Sequence, residues 1–165
     1  MMKIFMTIVL AVLCSAANVV AQEIVIPDYS AHILTPKAPD KVTGATSGAD
    51  FLYRIPATGV RPMTFSAEGL PKGLKLDEST GVITGKVKKA GTYKVTLKAE
   101  NSLGSNEKEL RIVIGDRVAL TPPLGWNSWN CWGNSVSQEL VESSAKAMVE
   151  SGLVDYGWSY INIDD

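Results

Sequence analysis

Residues 92–101, TYKVTLKAEN, place Tyr93, Val95, Leu97 and Ala99 on one side of an extended chain, with Thr92, Lys94, Thr96 and Lys98 on the other. Alternation with a period of two marks a strand with one buried and one solvated face. Downstream, NSLGSNE (101–107) leads into KELRIVIG (108–115), where Leu110, Ile112 and Ile114 alternate again. Two such runs joined by a glycine-containing loop predict a β-hairpin. Upstream, FLYRIPA (51–57) and MTFSAE (63–68) alternate, GLPKGLKLD (69–77) reads as a turn, and STGVITGKV (79–87) follows. Six or seven short strands punctuated in this way predict a two-sheet β-sandwich over residues 49–115. Gly73, Gly81, Gly85, Gly91 and Gly104 fall where turns need positive φ or leave no room for a side chain.

The whole chain has 165 residues, which allows one domain or one small domain with appendages. Its 16 Lys and Arg nearly balance 17 Asp and Glu. That balance gives no electrostatic reason to expect nucleic acid or an anionic membrane surface as a partner.

Outward toward the N-terminus, MMKIFMTIVLAVLCSAANVVAQ (1–22) has one early lysine, an apolar run from Ile4 to Leu13, and small residues before Gln22. This is the layout of a secretory signal peptide over residues 1–21, and it predicts a secreted or periplasmic protein. The apolar run is too short for a membrane anchor, since spanning takes about 20 residues. A lipoprotein reading would need Cys14, but Leu13 before it is bulky where such sites want a small residue. Cleavage after Ala21 leaves Cys131 as the one cysteine of the mature chain. Cys131 is therefore expected to be a free buried thiol, or the partner of a cysteine beyond residue 165.

Residues 22–48 hold two short apolar runs and many turn formers, and predict an extended lead-in and a loop. His32, the one histidine, reads as a half-exposed strand residue and not a ligand. Asp77, Glu78 and Asp116 are scattered without cation-ligand spacing, and Asp77-Glu78 reads as a solvated turn.

After Gly115 the character changes. Residues 116–134 contain Trp126, Trp129 and Trp132, and Pro122-Pro123 stiffen the approach to them. SVSQELVESSAKAMVESGL (135–153) then predicts a helix, with Val141, Ala145 and Met148 on one apolar stripe. Ser137 suits the N-cap, Gln138 and Glu139 the first turn, and Gly152 a left-handed C-terminal cap. DYGWSYINIDD (155–165) returns to strand. Strand, helix, strand implies parallel pairing, and two strands with one helix cannot bury both faces of a parallel sheet. Residues 116–165 are therefore expected to open a larger domain.

Two family resemblances rest on these residues. GLPKGLKLDESTGVITGKVKKAGTYKVTLKAENSLGS (69–105) resembles the Putative Ig domain of bacterial secreted proteins, a cadherin-like Ig sandwich that generally serves as an accessory or spacer module. Thr121-Pro122-Pro123-Leu124-Gly125-Trp126-Asn127-Ser128-Trp129, then Ser151-Gly152-Leu153, then Tyr160-Ile161-Asn162-Ile163-Asp164-Asp165 resemble the opening of glycoside hydrolase family 27, the α-galactosidases or melibiases. Leu124 replaces the methionine of that family's motif.

The second resemblance implies the start of a (β/α)8 barrel, whose active site gathers at the C-terminal ends of the strands. The fold class expected overall is mainly β: an Ig-like sandwich, then the first β-α-β piece of an incomplete barrel. The resemblance also implies a carbohydrate substrate and no metal or organic cofactor. Trp129 matches the family tryptophan that packs on the sugar, and Asp164 and Asp165 match the pair that accepts hydrogen bonds from galactose hydroxyls near O4 and O6. Trp126 and Trp132 read as packing residues.

Adjacent strand residues point to opposite faces, so Asp164-Asp165 cannot supply the two carboxyls that a retaining glycosidase sets about 5–5.5 Å apart. In family 27 those aspartates come from later strands, so this chain alone is expected to be inactive. The competing expectation is a non-catalytic spacer or binding module, although residues 50–115 show no exposed aromatic row for sugar.

Overall fold

The computed structural model describes residues 42–117, 120 and 122–164. The leader, most of the lead-in, Cys14, His32, Thr121 and Asp165 lie outside the described residues.

Two sheets face each other across one core. The larger sheet orders its strands as β1 (Val42–Ala45), β7 (Gly104–Ile114), β6 (Gly91–Asn101) and β3 (Thr64–Glu68). The smaller sheet orders β2 (Asp50–Arg54), β5 (Val82–Lys86) and β4 (Leu74–Asp77). All pairings are antiparallel except β1 with β7, which run parallel from Val42↔Arg111 to Ala45↔Ile114.

The alternation in β6 produces the expected division. Val95, Leu97 and Ala99 are fully buried, Tyr93 packs on the core edge, and Thr92, Lys94 and Thr96 are exposed. Leu110, Ile112 and Ile114 of β7 join them from the same sheet, and Phe51, Leu74 and Ile83 close the core from the other. Each large aliphatic side chain so buried contributes about 1.5–3 kcal/mol of transfer free energy. The β6–β7 hairpin is tighter than a seven-residue link, because Asn101 pairs with Gly104 and only Ser102 and Leu103 remain in the loop. Asn101 Oδ1 accepts the Leu103 amide at 2.8 Å and stabilises that turn.

Two stretches are strands where the sequence suggested turn or loop. Leu74–Asp77 forms β4, since its Leu-Lys-Leu-Asp alternation presents Leu74 and Leu76 to the core. The turn lies before it, at Gly73 (φ +105°). Val42–Ala45, inside the stretch expected to be lead-in and loop, forms β1 through pairing with β7. Gly85 crosses Gly73 so closely that a Cβ at Gly85 would overlap the Gly73 carbonyl oxygen.

The C-terminal segment is a β-α-β unit. β8 (Gly125–Asn127) pairs in parallel with β9 (Tyr160–Asn162), in register Gly125↔Tyr160, Trp126↔Ile161 and Asn127↔Asn162. A Cβ at Gly125 would overlap the Tyr160 carbonyl, so glycine permits this pairing. Between the strands lie a single helical turn, α1 (Trp129–Trp132), and a full helix, α2 (Gln138–Glu150). Ser137 caps α2 as expected, its hydroxyl accepting the Leu140 amide at 3.3 Å. Met148 is buried, Val141 and Ala145 are half-buried, and Gly152 takes the left-handed conformation (φ +78°) after the last turn. A 3-10 turn at Leu153–Tyr156 then leads to β9.

Candidate functional site

The parallel pairing of β8 and β9 brings two chain segments to one strand end. Trp129 follows β8 by two residues, and Asp164 follows β9 by two. Asn127, the last residue of β8, connects them. Its side-chain Nδ2 donates to Asp164 Oδ2 at 3.0 Å, and its Oδ1 accepts the Trp129 amide at 2.9 Å.

Ser128 secures the same junction from below. It is fully buried. Its Oγ accepts the Asp164 backbone N–H at 3.0 Å and donates to the Asp164 carbonyl at 3.3 Å. Its own N–H donates to the Asn162 carbonyl at 3.1 Å, and its carbonyl accepts the amides of Cys131 and Trp132. One small residue thus continues the ladder past the end of β8 and starts α1. The Asp164 carboxylate remains exposed, held at one oxygen by Asn127.

The tryptophans divide less sharply than expected. Trp126 is half-buried in β8, which agrees with packing. Trp132 is 38 % exposed against 44 % for Trp129, so burial does not separate these two. Only Trp129 has its backbone anchored to the Asn127 side chain that also holds Asp164. Cys131 is a free thiol and is exposed, not buried, because α1 is one turn long and buries none of its residues.

Asp77, the last residue of β4, opens the solvated turn that follows it. Its Oδ1 accepts the Ser79 hydroxyl at 2.7 Å and the amides of Ser79 and Thr80 at 2.9 and 3.1 Å. These bonds, the Ser79 hydroxyl first, hold its carboxyl below the ordinary range. Burial pushes the Tyr53 phenol well above its ordinary value. Among the described residues, no group of three or more His, Cys, Asp and Glu side chains is placed to hold a metal ion. No helix among them is long and apolar enough to cross a membrane.

Asn127 and Ser128 were absent from the residues expected to form the site. They stand inside the quoted 121–129 motif, but their partners lie 37 and 36 residues away. Only strand pairing reveals the contact.

A two-sheet sandwich with seven strands among the described residues, packed around one core with the β6–β7 hairpin at its centre, is an Ig-like domain. The chain belongs to the family described as Putative Ig domain (He_PIG), whose model matches residues 31–115. It is also 41 % identical over 64 residues to an alpha-galactosidase of Coffea arabica, covering 39 % of this chain and 17 % of that one. An alpha-galactosidase of Cyamopsis tetragonoloba is 51 % identical over 55 residues, covering 33 % of this chain and 13 % of that one. Among solved structures, a "putative alpha-galactosidase/melibiase" from Bacteroides fragilis is 56 % identical with a TM-score of 0.73, covering 77 % of this chain and 27 % of that one. A second B. fragilis structure, a "putative alpha-galactosidase", is 51 % identical with a TM-score of 0.72 over the same shares. The chain therefore spans well under a third of the length of each of these relatives.

Proposed function

We propose that this chain is the N-terminal part of a secreted α-galactosidase-like glycoside hydrolase, in which an Ig-like domain precedes the first β-α-β unit of a (β/α)8 barrel. The complete protein hydrolyses terminal α-linked galactose with retention, through a covalent glycosyl-enzyme intermediate. Trp129 offers its ring to the C–H face of the sugar, and Asp164 and Asp165 accept hydrogen bonds from its hydroxyls. The nucleophile and the acid/base come from later strands, and residues 1–21 direct export.

The observation that carries this reading is the shared strand end, where Asn127 fixes both the Trp129 backbone and the Asp164 carboxylate. Substrate groups gather at such ends in parallel barrels. The identity to named alpha-galactosidases supports the substrate class. Sugar binding by the sandwich has less support, since among its described residues the exposed large apolar ones are Leu52, Val60 and Leu103, with no aromatic ring among them.

Hydrolysis of an aryl α-galactoside tests the proposal. The complete protein is expected to turn it over, and the 165-residue chain is not. Clear turnover by this chain alone would sink the assignment of chemistry to later strands. A complete protein inactive on α-galactosides would sink the substrate.

A further inference from the structure

Arg54 ends β2, and Arg61 lies in the connection from β2 to β3. Both guanidiniums reach across to the β-α-β unit and converge on one carboxylate oxygen, Asp155 Oδ1, at 3.0 and 2.9 Å. Asp155 sits in the 3-10 turn Leu153–Tyr156, between α2 and the strand that precedes Asp164. Arg61 is itself held in place. It donates to the Ala57 carbonyl at 3.0 Å, and its guanidinium lies 5.9 Å from the centre of the Phe65 ring.

An isolated exposed ion pair contributes little to stability. Here all three side chains are partly sheltered, with relative exposures of 33 %, 40 % and 29 %, and two cations share one anion. Leu120, beyond the last sandwich strand, also lies beside β1, where a Cβ at Gly44 would come within 2.9 Å of its Cδ1. The alignment with the first B. fragilis structure covers 77 % of the chain at a TM-score of 0.73, more than residues 31–115 can supply. The sandwich and part of the segment after it therefore superpose together.

We infer that the sandwich is a docked brace for the β-α-β unit and not a free spacer, with Arg54 and Arg61 clamping Asp155 to fix the turn that launches β9. The inference concerns the docking of two parts of this chain and stands apart from the choice of sugar.

Hydrogen exchange on the full chain tests it. The amides of Asp155, Gly157 and Trp158 donate within the turn, to Gly152, Val154 and Leu153, and report its integrity. In the double variant Arg54→Ala/Arg61→Ala these amides should exchange about tenfold faster, while the β6–β7 hairpin amides keep their rates. Asp155→Arg should have the same effect, and adding Arg54→Asp to it should restore much of the protection. Unchanged exchange in the double variant overturns the inference. So does equal acceleration in the hairpin, which would confine the arginines to the sandwich, and so does an unprotected turn in the unaltered chain.

Discussion

Ser128 and Asp164 bond each other twice, the serine hydroxyl taking the aspartate amide at 3.0 Å and giving its proton to the aspartate carbonyl at 3.3 Å. The aspartate side chain is thus set by its backbone as well as by Asn127. Ser128→Ala removes both bonds within a fully buried site. The expected cost is about 1–3 kcal/mol in the local stability of the β8–β9 end. In the complete protein the KM for an aryl α-galactoside should rise while the pH profile of kcat keeps its shape. Unchanged thermal unfolding and KM would contradict this arrangement.

Direct loss of the groups proposed to contact the sugar should have larger effects. Asp164→Ala in the complete protein removes a charged acceptor, a bond of about 1.5–3 kcal/mol, and should lower kcat/KM by roughly 10- to 100-fold. Trp129→Ala should lower it by about tenfold, chiefly through KM, with a comparable loss in binding of free galactose by calorimetry. Equal activity in either variant would remove that residue from the sugar site.

Gly85 tests the packing of the small sheet. A Cβ there meets the Gly73 carbonyl, and φ is +136°, a conformation that L side chains rarely adopt. Gly85→Ala should destabilise the sandwich by about 1–3 kcal/mol, read as a lower denaturation midpoint with an unchanged slope. Leu97→Ala, at full burial in β6, should cost about 2–5 kcal/mol.

Asp77 makes a pH prediction with a definite sign. Its folded carboxyl is held below the ordinary 3.8 by the bonds from Ser79 and Thr80. A depressed folded value contributes stability above the unfolded pKa, and that stability disappears as pH falls through the folded value. The Tm of the unaltered protein should therefore exceed that of Asp77→Ala at neutral pH, and the gap should close below pH 3.8. A gap that is constant with pH would rule out the carboxylate as its source.

Legibility in the sequence followed the physical source of each feature. β6 and β7 were legible because their alternation is local and each face meets one environment. The cap at Ser137 and the left-handed Gly152 were legible for the same reason. β4 was hidden behind Pro71 and Gly73, which signal a turn even though Leu74 and Leu76 face the core. β1 could not be read, since Val-Thr-Gly-Ala has no apolar face and owes its conformation to β7. Trp129 and Asp164 were visible through a motif. Asn127 and Ser128 were not, because their bonds depend on a parallel pairing that closes more than 30 residues later. The exposure of Cys131 likewise follows from the length of α1, which composition does not reveal.

The parallel pairing of β1 with β7 has a mechanical consequence. The chain enters β1 beside Arg111 and leaves β7 beside Ala45, so a pull on both ends of the domain drags the two strands in opposite directions along their length. The load falls on the hydrogen bonds of that ladder together, in shear, and cannot peel them open one by one. Pulled from its two ends, the sandwich would therefore yield abruptly and would not stretch gradually.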